Sequence, residues 1–187
     1  MTGSNSTSAF TIIELLVVMA IIIVLAGLIL ATSGYVQEKS KRSRAEAEIA
    51  AMSAALEGYK ADNGIYPTDP QMTETVNPSA SPVPATASKF LYASLTADPD
   101  FDGGSDGKSY MTFPLQNLQA EVPGQPISSS NHVVAVRDPF GNPYGYSTMK
   151  AANPNATGGF NPTFDLWSTA GTPGASAPDQ AKWIKNW

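Results

Sequence analysis

At 187 residues the chain has room for about one domain with an appendage, and 42% hydrophobic with 14% charged residues makes it globular rather than disordered. Its net charge of −5, from 11 basic and 16 acidic residues, argues against a general nucleic-acid binder. With no cysteine, disulfides, thiol catalysis and Cys-ligated zinc are excluded, and a lone His132 excludes multi-His metal sites.

The first predicted element is a membrane helix. Residues 15–31 form seventeen consecutive positions without a charge. The wider segment 10–32, twenty-three residues, spans about 34 Å as a helix, enough to cross a bilayer core. Its fifteen Leu, Ile, Val and Phe residues favour insertion by about 6 kcal/mol. Glu14 opposes this by ~3 kcal/mol at mid-membrane and less near an end, so the segment still inserts. The preceding residues 1–9 lack Lys and Arg, and the apolar run exceeds the h-region of a signal peptide, so the helix is expected to be retained. An acid inside such a segment is a functional candidate by default. A chain cut before Phe10 would carry a new amine four residues from Glu14, in its own or a neighbouring subunit, and the two charges would neutralise each other.

Residues 35–62 contain no proline and are rich in Ala, Glu and Lys. Ile49, Met52, Leu56 and Tyr59 recur at spacings of three and four, which predicts an amphipathic continuation of the helix packed on a head. Asn63-Gly64 signals its end, and Pro67 prevents continuation. Residues 68–88 read as a long loop and 89–95 as a short helix. Three short runs, 133–137, 144–148 and 163–168, read as strands of a small antiparallel sheet. The Pro- and Gly-rich segment 138–146 reads as a turn between two of them.

Candidate chemistry concentrates in residues 98–109. Asp98, Asp100 and Asp102 match positions 1, 3 and 5 of an EF-hand loop, Gly103 matches the sharp turn, and Asp106 matches position 9. Position 12, normally a bidentate Glu, is Ser109. Clustered carboxylates repel one another unless a cation neutralises them, and calcium suits such hard oxygens. A solvated acidic turn is the alternative. His132 reads as an edge histidine with no nucleophile arrangement around it. Trp167, Trp183 and Trp187 read as core or contact aromatics rather than a sugar platform. No enzyme activity is expected.

The string Ala9/Phe10-Thr11-Ile12-Ile13-Glu14-Leu15-Leu16 resembles the processing motif of the type IV pilin-like family, which includes the pseudopilins of type II secretion. The Asp62–Pro67 turn, the 138–146 turn, Phe164–Ser168 and Trp183–Trp187 are similar to features of the major pseudopilins. Residues 68–132 carry no motif that resembles the family. The resemblance implies an α+β fold, with a long N-terminal helix packed on a small antiparallel β-sheet head. It implies a leader peptide 1–9, a transmembrane and filament-core helix 10–33, an amphipathic continuation 34–64, and a head 65–187 with an insertion at about 68–132. It implies cleavage by a prepilin peptidase between Ala9 and Phe10, N-methylation of Phe10, and filament assembly guided by Glu14. The expected partners are copies of itself, minor pseudopilins and the inner-membrane platform of the secretion machine. The expected location is the bacterial inner membrane, single-pass, with a periplasmic head and no nucleic acid bound. A type IV pilus pilin and a signal-anchored periplasmic binding protein are the alternatives. Lys and Arg counts alone favour a cytoplasmic C-terminus, four downstream against none upstream, whereas the resemblance implies the opposite. Major pseudopilins bind calcium in a loop near the C-terminal end, and there this chain offers only one acid, Asp179.

Overall fold

The computed structural model describes residues 11–174 and 176–187. Ala9 and Phe10, the expected processing site, lie outside the described residues. Contacts divide the chain into Met1–Ser40 and Lys41–Trp187.

Helix α1, Ile12–Asn63, runs 52 residues. No proline interrupts it, and it ends where the sequence predicts. Gly64 takes φ 82°, and its N–H donates to Lys60 O at 2.7 Å. This left-handed residue closes the last turn without a Cβ clash. In the first unit the described large apolar side chains of α1 are exposed, from 47% at Val18 to 86% at Ile12. Its 18-residue window of mean hydropathy 3.1 is long and apolar enough to cross a membrane.

In the second unit one face of α1 enters the core. Ala45, Ile49, Met52 and Leu56 are buried, one turn apart as the pattern requires. Tyr59 is half-buried against Tyr110, with ring centroids 5.3 Å apart. Helix α2, Ala85–Thr96, begins four residues before the expected 89–95 helix. Pro84 at its N-cap holds φ −66°, which suits a helix entrance. Leu91, Tyr92 and Leu95 of α2 meet the α1 stripe in one core with Val133, Val136, Tyr144, Tyr146 and Leu166. A second cluster joins Val76, Ala87, Trp167 and Trp183, with Val83 and Trp187 packed against it.

The strands form two sheets, which corrects the expectation of one. Strand β1, Leu118–Ala120, pairs antiparallel with β2, Val133–Val136. Strand β3, Gly145–Ser147, pairs antiparallel with β4, Asp165–Ser168, and β4 pairs antiparallel with β5, Ile184–Lys185. The 138–146 turn separates the sheets. Asp138 Oδ1 accepts from the N–H groups of Phe140 and Asn142, both at 2.9 Å, and Gly141 takes φ 93°. Beyond the single bridge Arg137–Pro143, β2 and β3 part. Two short helices, α3 (Met149–Ala152) and α4 (Ala177–Gln180), complete the elements. The segment expected as loop is fastened to β3: Thr73 and Thr148 hydroxyls lie 2.7 Å apart, Tyr146 donates to Pro67 O at 2.7 Å, and Ser147 donates to Val76 O at 2.6 Å.

Asp138 is 4% exposed, and its Oδ2 accepts from Ser168 Oγ at 2.5 Å. Burial pushes its carboxyl up, although the Ser168 hydroxyl and the N–H groups of Asn142, Phe140 and Gly141 counter this. The folded chain therefore holds this proton more tightly than the unfolded chain. The resulting stabilisation is present below the ordinary carboxylate range and is lost as pH rises through the raised value. Asp138→Asn, which cannot titrate, should lessen the fall in stability across that window. Asp138→Ala should cost about 3 kcal/mol, and more on the acid side of that window, because it leaves two N–H groups and a hydroxyl without an acceptor and also loses the pH-dependent contribution. Denaturant melts of both variants from acid to neutral pH check this.

Candidate functional site

Glu14 sits in the first turn of α1, where its carboxylate has a local role. Glu14 Oε2 accepts from Thr11 N at 3.0 Å and from Thr11 Oγ1 at 2.9 Å, while Glu14 N donates to Thr11 Oγ1 at 3.3 Å. This reciprocal arrangement is a capping box, which satisfies donors that a helix start leaves free. The sequence carries the signal as Thr-x-x-Glu. A carboxylate at a helix N-terminus also meets the favourable end of the helix dipole.

The acidic loop follows α2 directly. Ala97 takes φ 56° and Phe101 φ 64°, and Gly103 turns the chain at φ 92°. Asp98 is fully buried. Its Oδ2 accepts from Tyr92 OH at 2.6 Å and from Gly103 N at 2.9 Å, and its Oδ1 accepts from Asp102 N at 3.2 Å. Burial works to raise the Asp98 carboxyl, but the Tyr92 hydroxyl and the Gly103 N–H lead a set of hydrogen bonds that hold it below the usual carboxylate range. The neighbouring Asp100 is pushed up, first by the hydrogen bond it shares with Asp98, then by desolvation and the charges of Asp102 and Asp106. Burial, followed by the Asp98 hydrogen bond, drives the Tyr92 hydroxyl far up, so it remains a donor.

Carboxylate oxygens of Asp98, Asp100 and Asp102 lie within 4.8 Å of one another. Oxygens sharing one calcium at 2.3–2.6 Å are at most about 5 Å apart, so this donor set fits the ion. Asp106 is not a member of that group; its N–H donates to Ala97 O at 2.7 Å, which closes the base of the loop. The sequence reading missed Tyr92. Its signal was an aromatic hydroxyl one and a half helical turns before Asp98.

Asp179 belongs to the start of α4, where Ser176 Oγ both accepts from Asp179 N at 3.4 Å and pairs with the Asp179 carboxylate. His132 Nδ1 lies 3.9 Å from Glu121 Oε2 beside the β1–β2 pair. Trp167 and Trp183 are buried, and Trp183 Nε1 donates to Thr172 O at 2.8 Å. Trp187 stacks on Phe160 with ring centroids 4.5 Å apart. The tryptophans are core aromatics.

The family model for type II secretion system protein G matches residues 34–102. The type II secretion system core protein G of Escherichia coli K12 is 36% identical over 102 residues, which cover 53% of this chain and 70% of that protein. The chain belongs to the type II secretion system protein G family. The core protein G of Pseudomonas aeruginosa is 36% identical over 95 residues, covering 49% of this chain and 67% of the relative. That of Aeromonas hydrophila is 37% identical over 79 residues, covering 41% and 55%. No solved structure matches the chain significantly.

Proposed function

We propose that the chain is a structural subunit of a type II secretion pseudopilus. A prepilin peptidase cuts between Ala9 and Phe10, Phe10 is N-methylated, and α1 then polymerises with its copies to support protein export. The observation that carries this reading is α1 itself. A helix that exposes this run of large apolar side chains needs lipid or neighbouring helices around it, and Glu14 stands at its start. Such a segment anchors the precursor in the inner membrane, with the head in the periplasm, and later packs in the filament core. The role is assembly rather than catalysis. Its partners are copies of itself, the minor pseudopilins and the inner-membrane platform. Intact-mass and N-terminal analysis of the protein extracted from membranes tests processing: a chain beginning at N-methylated Phe10 supports it. A chain still beginning at Met1, in cells with an active prepilin peptidase, sinks it. Loss of export in a deletion strain, restored by this chain, separates the reading from a type IV pilus pilin.

The acidic loop holds calcium in the same proposal. Asp98, Asp100 and Asp102 supply the carboxylates, and the ion relieves their mutual repulsion in a head without disulfides. At a calcium concentration of roughly a hundred times the dissociation constant, binding adds about 2.7 kcal/mol. For a head of this size that corresponds to a rise in Tm of roughly 5–10 °C. Thermal melts should show this rise in the native chain, with magnesium giving little of it. Asp100→Asn/Asp102→Asn should abolish the response. An equal rise in that double variant would remove calcium from this loop.

A further inference from the structure

The basic residues after the apolar run gather with a segment far away in sequence. Arg42 Nη1 donates to Lys182 O at 2.8 Å, across 140 residues. That bond places the exposed Lys182 beside the helix turn that carries Lys41 and Arg42. Lys41 is exposed, with its ammonium 5.8 Å from the Phe140 ring centroid. Among the described residues, the ion pairs are Arg44–Glu48, Lys108–Asp62 and the His132–Glu121 contact, and none involves Lys41, Arg42 or Lys182. The acids nearest in sequence are Glu38, Glu46 and Asp179; Asp179 is engaged by Ser176, and no ion pair of Glu38 or Glu46 with these cations is found among the described residues. A chain of net charge −5 thus carries a local cationic patch.

The patch is tethered to a bilayer. Lys41 follows Ala31, the last residue of the apolar run, by ten positions, all within α1. Juxtamembrane Lys and Arg are attracted to anionic lipid surfaces, with an effect that decays over a Debye length of about 8 Å. Long basic side chains also reach back towards the interface. We propose that Lys41, Arg42 and Lys182 form a docking patch for the headgroups of anionic phospholipids in the leaflet beside the span. The patch steadies the head at the membrane before the subunit is extracted into a filament. This rests on the reading of α1 as a membrane anchor. The ten-residue separation in sequence raises the effective concentration of a lipid surface, whereas an acidic face of a second copy must first be met by diffusion.

The test uses the full chain reconstituted in vesicles of phosphatidylcholine with phosphatidylglycerol at seven to three, followed by native mass spectrometry of the lipids retained after mild extraction. The expected result is retention of phosphatidylglycerol over phosphatidylcholine by roughly tenfold or more, lost in high salt. Each lysine near the surface contributes roughly fivefold, so Lys41→Gln/Lys182→Gln should remove most of the preference. Arg42 is left intact because it holds the Lys182 carbonyl. Equal retention of the two lipids by an embedded chain overturns the docking patch alone. A chain that does not stay with the vesicles overturns the membrane anchor and the patch together. Dimers that the double variant abolishes, without a lipid preference, assign the patch to a second copy and overturn the proposal.

Discussion

Gly145→Ala should destabilise the head strongly. Gly145 is paired with Trp167 across β3 and β4. A Cβ added there would lie 2.0 Å from Trp167 Cε2 and 2.3 Å from Cζ2. Real Cβ atoms do not approach that closely, so the indole or the strand must move. Trp167 is fully buried and packs edge-on to Trp187, with ring centroids 6.0 Å apart. The ring therefore has nowhere to go without opening the second core cluster. Overpacking of one methyl group in a core costs about 3 kcal/mol when neighbours cannot give, against a total stability of about 5–15 kcal/mol. A Tm loss of roughly 10 °C follows for a head of this size. Gly124→Ala is the contrasting control: Gly124 takes a positive φ of 80°, which Gly145 does not, and an added Cβ there meets nothing within 4 Å. It should cost about 1 kcal/mol through its backbone alone. Circular-dichroism melts of the full chain in detergent compare the two. Equal losses would mean that the Trp167 contact is not what limits position 145.

Glu14→Gln should leave α1 intact and stop assembly. Glutamine keeps the capping-box acceptor that Thr11 uses. It removes only the charge. If that charge neutralises the Phe10 amine between packed helices, its loss leaves a cation unpaired in an apolar layer, at about 3 kcal/mol, or roughly a hundredfold in association. Thr11→Val makes the opposite change. It deletes the hydroxyl in the cap, costs about 1 kcal/mol, and keeps the carboxylate. Filament recovery should therefore collapse in Glu14→Gln and persist in Thr11→Val. The reverse order would show that Glu14 matters as a helix cap, and the neutralisation model would fail.

Helix α1 was legible because both of its halves obey simple rules. A seventeen-residue apolar run has one physical solution in water, which is to leave it. The Ile49–Met52–Leu56 stripe has one face to bury. The Asn63-Gly64 stop was readable because left-handed geometry favours glycine. Strands β1 and β5 were not legible. Three residues and two residues carry no periodicity, and their existence depends on partners elsewhere in the chain. The division into two sheets was hidden for a similar reason. It follows from how Asp138 gathers the turn's N–H groups and bonds to Ser168, thirty residues away. At the acidic loop the spacing of Asp98, Asp100 and Asp102 correctly brought three carboxylates together. Asp106 lies outside that group, with its N–H on Ala97 O, and the Tyr92 hydroxyl that bonds to Asp98 belongs to α2, where the loop's own spacing does not point to it. The Arg42–Lys182 bond joins positions that no local pattern connects.

The second cluster closes only when segments distant in sequence meet. Sheet β3–β4–β5 takes its third strand from Ile184–Lys185, and Trp183 and Trp187 pack on the cluster that holds Trp167. While that segment is undocked, β4 pairs on one side only and Trp167 lacks part of its cover. The segment therefore works as a clasp: the head reaches its full compactness in one cooperative step that needs both β4 and the residues around Ile184 in place.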